Sequence, residues 1–496
     1  MSKFRQYLKW SFASLAIVAM TWALVIFWWQ TTRRVATNDD TLLYLVILPA
    51  TAVTAFTLAL WLRNRARASD TQSNPQATPA DSFNLQEPGS ADDHALTTSI
   101  MAAWAITNVA SNADEFPGSL AERKIRPAPD EVLTDADGYP LLTGRIATLD
   151  TATVDAYLKT AVNSGKCDDV PPQDEWREAF VRTLALLAEL MEAIQDEWPF
   201  PTETFSRANA ERTANQITLR GAPASASEEE PALMLQIKLL VPDHFQPWEK
   251  RLVLSYLSEK ASILQPSRQP LQIELVPAQN DTVALLLSDQ FNINTSRDSV
   301  AHAMLVLACD STLCDSVSES WQADGRLFSA GNPSGFMLGE AAFGVLYANE
   351  RAQDAIAGTP LCKLARIATA TRDFSADMHG KPSSTSLITT VHDALIKAGI
   401  AAESIGAVAT DADHRTSRAL ECMGAMLSAT PHLDAVENRF AVNEACGHLG
   451  AASVLGAIVA GAMHATAAAC PVLLFNVSHA TERAAAILLP LEDTTT

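Results

Sequence analysis

Two uncharged apolar runs, Ser11–Trp29 and Thr41–Leu62, are separated by only eleven residues. Each is long enough to cross a bilayer as a helix, and the gap is too short for a folded domain, so residues 1–67 read as a transmembrane hairpin. Trp28, Trp29 and Trp61 lie at the edges of the runs, where an indole suits the membrane interface. The length of the first run, its bulky end and the second run that follows all argue against a cleaved signal peptide. Lys3, Arg5 and Lys9 precede the first run and Arg63, Arg65 and Arg67 follow the second, whereas Arg33 and Arg34 between them are offset by Asp39 and Asp40. The positive-inside rule then places both termini of the hairpin on the cytoplasmic side of a membrane.

The rest of the 496 residues is acidic. Removing the eight basic and two acidic residues up to Arg67 from totals of 36 and 57 leaves 28 basic against 55 acidic, a net charge of −27. Such a surface repels phosphate backbones, so nucleic acid is not an expected partner. Residues 68–94 are rich in Ser, Pro, Gln and Asp with almost no large apolar side chain, the composition of a flexible tether. Folded sequence is expected from about Ala95, divided at 242/243 into an N-terminal half and a C-terminal half.

In Trp176–Trp198 the residues Phe180, Leu184, Leu187, Leu190 and Ile194 recur at three and four, predicting a core-facing helix. Gly221–Glu230, ending in Glu228–Glu230, reads as an acidic surface loop, and Leu233–Leu240 as a strand. Farther on, the short apolar runs Val283–Leu287, Ala303–Ala308, Phe336–Tyr347 and Ile405–Ala409 alternate with helix-like segments, the pattern of an α/β fold with a buried sheet.

Two segments carry a resemblance. Gly335-Phe336-Met337-Leu338-Gly339-Glu340-Ala341-Ala342 resembles the "GF(V/L)xGEGA" strand that opens the C-terminal half of β-ketoacyl synthases, and Asn443 to Ala452, with Gly447 and His448, resembles their "KxxxGHxxGAxG" motif. The resemblance implies a thiolase-like fold, with His448 matching the second active-site histidine of the family. Condensing chemistry requires a cysteine thiolate to carry the acyl group and two donors to stabilise developing negative charge. The family nucleophile is expected some thirty residues before Met304–Ala308, yet no cysteine lies between Cys167 and Cys309. The "HGTGT" segment aligns with Asp411-Ala412-Asp413-His414-Arg415, which puts Asp411 in place of the first histidine. Asn443 stands for the lysine, and the "GFGGxNxH" turn becomes Ser478–Ala485 without glycine. His448, Asp411 and Asn443 therefore read as vestigial, and the chain as a pseudoenzyme.

Seven cysteines at irregular spacing suit reduced thiols. Cys309 and Cys314 read as ordinary thiols rather than a redox pair, and Asp411, Asp413 and His414 form only a weak metal pattern. No phosphate-binding glycine loop, HExxH helix or GxSxG elbow is present, so no cofactor or metal is expected.

The whole layout of hairpin, tether and acidic degenerate condensing-enzyme domain resembles the adaptor proteins of type VI secretion lipase effectors. That resemblance implies cytoplasmic binding of a phospholipase effector and its transfer to the secretion spike protein. Enzymes of the thiolase-like fold usually dimerise, so the resemblance leaves a homodimer open. The alternative expectation is a divergent membrane-bound acyl-transferring or condensing enzyme using His448, with Cys446 or Cys309 recruited as nucleophile.

Overall fold

The computed structural model describes residues 96–491 except 164–175, 200–232, 265–270, 279, 354–355, 357 and 379–382. The hairpin at 1–67, the tether at 68–94 and the acidic loop Glu228–Glu230 lie outside the described residues. Pro88–Thr496 forms one compact unit.

Its first half runs β1 (Thr97–Thr107), α1 (Phe116–Glu122), β2 (Ala128–Thr134), β3 (Pro140–Gly144), α2 (Thr151–Asn163), α3 (Glu178–Asp196), β4 (Met234–Pro242) and α4 (Pro247–Ala261). It continues through β5 (Gln272–Ala278), α5 (Val283–Thr295), β6 (His302–Ser311), α6 (Asp315–Ala323) and β7 (Leu338–Ala348). After the short α7 (Glu350–Gln353), the second half runs β8 (Cys362–Ala365), β9 (Ala368–Thr371), α8 (Thr385–Ala398), β10 (Ala407–Thr410) and α9 (Thr416–Ala429). It ends with β11 (Arg439–Ala441), α10 (Val442–Cys446), α11 (Ser453–Ala468), β12 (Val472–Phe475) and β13 (Glu482–Leu489).

The main strands follow the order β11-β10-β12-β13-β8-β1-β7-β6-β4-β5. Within each half the same sequence of neighbours recurs, β5-β4-β6-β7-β1 and β11-β10-β12-β13-β8, with the last two strands antiparallel to each other in both. The fold is therefore an internal duplication, joined where β1 pairs antiparallel with β8.

Side-chain alternation on the strands builds the layers, because successive residues point to opposite faces. On β7, Ala341, Phe343, Val345 and Tyr347 enter a central core shared with α5 and α11, whereas Ala342, Leu346 and Ala348 face an outer core under α2, α3 and α4. On β13, Ala484, Ala486 and Leu488 join the central core while Ala485 and Ile487 face α8 and α9. The resulting order is helices, sheet, central helices, sheet, helices. Gly456 and Gly461 show why α11 is built from small residues. A Cβ on Gly456 would approach the Phe343 ring to 2.7 Å, and one on Gly461 would approach Leu488 to 2.6 Å.

Among the described residues, one stretch, Gly450–Ala468, is long and apolar enough to cross a membrane, but 67% of it is buried inside the fold. It is a core helix.

Several expectations need correction. Val283–Leu287 is not a strand-like run but the first turns of α5, buried against the central core. The boundary at 242/243 falls between β4 and α4 of the same half. The strand with Gly339 and Glu340 closes the first half rather than opening the second, because β7 pairs with β1 and β6.

Candidate functional site

The two recognised segments meet backbone to backbone. His448 donates its backbone N–H to Met337 O at 2.8 Å, and Leu338 bridges to His448. The glycines make this crossing feasible. A Cβ on Gly339 would come within 2.2 Å of Cys446 O, and Gly447, at φ +79°, would place one 2.4 Å from Leu338 O. Gly335 likewise lies against the Leu327 carbonyl, where a Cβ would be only 2.3 Å away.

Glu340 is fully buried, yet every oxygen is used. Its carboxylate accepts from Arg182 Nε at 2.7 Å, from Ser311 Oγ at 3.0 Å and from the Ile146 N–H at 2.8 Å. The motif residues Gly335, Gly339, Glu340 and Gly447 thus hold elements together and offer no reactive group.

The half-buried His448 ring sits between Phe336 and Trp321, with centroids at 4.6 and 5.4 Å, and its Nδ1 has no hydrogen-bond partner. Burial, and then the nearby Arg415 charge, pull the imidazole down to about 4, so it is neutral at pH 7. Asn443 donates through Nδ2 to Ser453 Oγ at 3.1 Å, at the start of α11, a structural contact where the family carries an ammonium.

Asp411 is fully buried. Its Oδ1 accepts the N–H groups of Val477 and Ser478 at 2.6 and 3.2 Å, tying β10 to the turn after β12, while Oδ2 is unpartnered. A carboxylate here repels a developing oxyanion instead of stabilising it.

The duplication gives the segment before α11 a counterpart in the first half. His448 lies in the segment leading into α11, and the equivalent segment leading into α5 contains Asn280, Asp281 and Thr282. Asp281 is half-buried and faces Asp411. Burial first, and then the Asp411 charge, raise Asp281 to about 8, with Arg415 and Arg418 opposing. Burial likewise raises Asp411 to about 6, against its two backbone donors. In the sequence the only sign of Asp281 is its placement after β5 and just before a helix.

The surroundings are a fixed ionic network that sequence reasoning also missed. Arg415 pairs with Asp413 at 2.8 Å, donates to Ser478 O at 3.1 Å and lies over the Phe336 ring at 4.1 Å. Arg418 donates to Ser478 O at 3.1 Å and pairs with Asp377 at 2.9 Å. Arg483 and Glu421, both fully buried, pair at 2.8 Å, and Arg372 also reaches Glu421. Asp310, at the end of β6, accepts the Ala451 N–H at 3.1 Å through Oδ2, has an unpartnered Oδ1, and is raised by burial to about 7.

The cysteines considered for chemistry are poorly placed. Cys309 and Cys446 are buried, and burial raises both thiols. Cys314 is the N-cap of α6, where its sulfur contacts Ser316 Oγ at 3.2 Å. Asp413 is committed to Arg415 and the His414 ring packs on Phe328, so the DxDH segment does not converge on a point. Among the described residues no group of three His, Cys, Asp or Glu side chains could hold a metal.

Neither a protein-family model nor a curated protein matches this sequence. Solved structures do match. The ishigamide ketosynthase/chain length factor superposes with a TM-score of 0.50 at 16% identity, covering 80% of this chain and 100% of that one. The ketosynthase from module 6 of the bacillaene synthase of Bacillus subtilis 168 superposes with a TM-score of 0.50 at 14% identity, covering 80% of this chain and 72% of that one. The chain has a ketosynthase-like, thiolase-type α/β fold, and the match extends over both halves rather than the C-terminal half alone.

Proposed function

We propose that this chain is a non-catalytic ketosynthase-fold protein that works by binding other proteins. The observation that carries this reading is Asp281. Where a condensing enzyme needs a thiolate at the head of the central helix, this chain has a carboxylate facing a second carboxylate, Asp411. The flanking changes act in the same direction. Asn443 replaces a cation, His448 is covered by Phe336 and Trp321, and Arg415 and Arg418 are committed to ion pairs. An acyl-transferring enzyme built on Cys309 or Cys446 is disfavoured by the burial of both thiols.

The layout of the sequence supports a narrower role. A hairpin in the inner membrane, with both termini cytoplasmic, and a tether of about 27 residues would let the acidic domain search for a mobile partner. The resemblance to type VI secretion adaptors makes that partner a phospholipase effector, to be delivered to the spike protein.

Affinity capture with the full-length protein from its native cells, comparing wild type with His448→Ala, tests the reading. Equal recovery of a phospholipase or spike protein by both is expected. Capture of an acyl-carrier protein, with thioester turnover abolished by His448→Ala, would refute it.

A further inference from the structure

We infer that the depression between the starts of α2 and α3 is a docking site for a lysine or arginine side chain presented by a protein partner. The inference rests on the protein-binding role proposed above and gives that role a place and a chemistry. The depression has a volume of about 220 Å³. Each helix lends it two residues one turn apart, Thr151 and Asp155 from α2 and Glu178 and Arg182 from α3, and Trp176 and Val181 complete the wall.

Charge decides which kind of group fits. Asp155 has no hydrogen-bond or ion-pair partner among the described residues. Glu178 stands 3.7 Å from Arg145 Nη1, but the closer partner of Arg145 is the buried Asp130, at 2.8 Å. The Arg182 guanidinium is already neutralised by Glu340, which takes Nε and Nη2 together. Two carboxylates therefore face the depression without full counter-charge, which favours a cation and repels a carboxylate or phosphate.

Arg182 supplies an independent sign of a ligand. The residue is more than nine-tenths buried, and its Nη2 donates further to Ile146 O at 3.1 Å. Its Nη1 has no partner, yet it is not sealed from solvent and the residue lines the depression. Donors on buried side chains are seldom left unpaired, and one on a neutralised guanidinium calls for a neutral acceptor such as a peptide carbonyl. A basic residue within a chain meets both demands. Its charged head pairs with Asp155 and Glu178, its main-chain carbonyl accepts from Arg182, and its methylene stem lies against Trp176 and Val181.

The test titrates full-length protein with N-acetylarginine amide at constant ionic strength, following heat of binding and thermal stability, with the uncharged isostere N-acetylcitrulline amide as the control. Wild type is expected to bind the arginine compound at millimolar or tighter concentrations and the citrulline compound more weakly. Asp155→Asn and Glu178→Gln, both outside the core, should each weaken binding of the arginine compound by about fivefold. No binding, equal binding of the two compounds, or binding unchanged in both variants overturns the proposal. Tighter binding of free arginine than of the blocked amide also overturns it, because Arg182 then takes a carboxylate and the site a free amino acid.

Affinity capture separates the site from the wider role. Loss of phospholipase or spike-protein recovery in the Asp155→Asn, Glu178→Gln double variant supports the site, and undiminished recovery overturns the site while leaving the binding role intact. Failure of wild type to recover either protein while it still binds the arginine compound refutes the role and not the site.

Discussion

Replacing Asp310 by Asn should abolish a specific part of the pH dependence of stability. The carboxyl is buried at the end of β6 and raised from an ordinary value of 3.8 to about 7, chiefly by desolvation. A carboxyl raised in the folded state binds its proton more tightly there than in the unfolded chain. Its favourable contribution is therefore present below the ordinary carboxylate range and is lost as pH rises through about 7. At ~1.4 kcal/mol per tenfold change in proton affinity, wild type should lose about 4 kcal/mol relative to the variant between pH 4 and pH 8. Asn retains an oxygen for the Ala451 N–H, so the two proteins should be nearly equal at pH 4. The opposite contribution of His448, which is held down to about 4, is common to both and cancels in the difference. Denaturant unfolding of full-length protein at several pH values, followed by tryptophan fluorescence, measures this directly. Parallel profiles for wild type and Asp310→Asn would refute the reasoning.

Other perturbations test the packing and the silent site. Gly339→Ala forces a Cβ against the Cys446 carbonyl and should destabilise by about 3 kcal/mol, read as a lowered unfolding midpoint. Glu421→Gln leaves Arg483 and Arg372 without their shared anion and should cost about 3–5 kcal/mol, read as a lowered denaturant midpoint. Asp281→Cys should create a thiol that iodoacetamide alkylates, yet no decarboxylation of a malonyl thioester should appear by mass spectrometry, because Asp411 and Asn443 remain.

Some of this architecture was readable in advance because its physics is local. α3 lies on the outside of a sheet and buries one stripe, so Phe180, Leu184, Leu187, Leu190 and Ile194 announced it at helical spacing. α5 lies between two sheets, and the apolar residues at its start show no face, which made Val283–Leu287 indistinguishable from a buried strand. The glycines of the two recognised segments were legible as a pattern, but their cause, a backbone crossing between Leu338 and His448, joins residues far apart in the chain. The ionic network was illegible for the same reason. Glu421 and Arg483 are 62 residues apart and Glu340 and Arg182 are 158 apart, and no local spacing links them. Asp281 was missed because the expected chemistry directed attention to a thiol. Its position relative to Asp411 exists only once α5 and β10 are brought together.

The place of β1 in the sheet has a mechanical consequence. It is the first described strand, yet it lies in the middle of the strand order, hydrogen-bonded to β7 on one side and β8 on the other. A pull on the N-terminal end of β1 loads both ladders in shear, so many hydrogen bonds must fail together rather than peel away one at a time. A domain pulled by its N-terminus is thus gripped through the seam between its two halves, where tension is shared by both halves of the sheet.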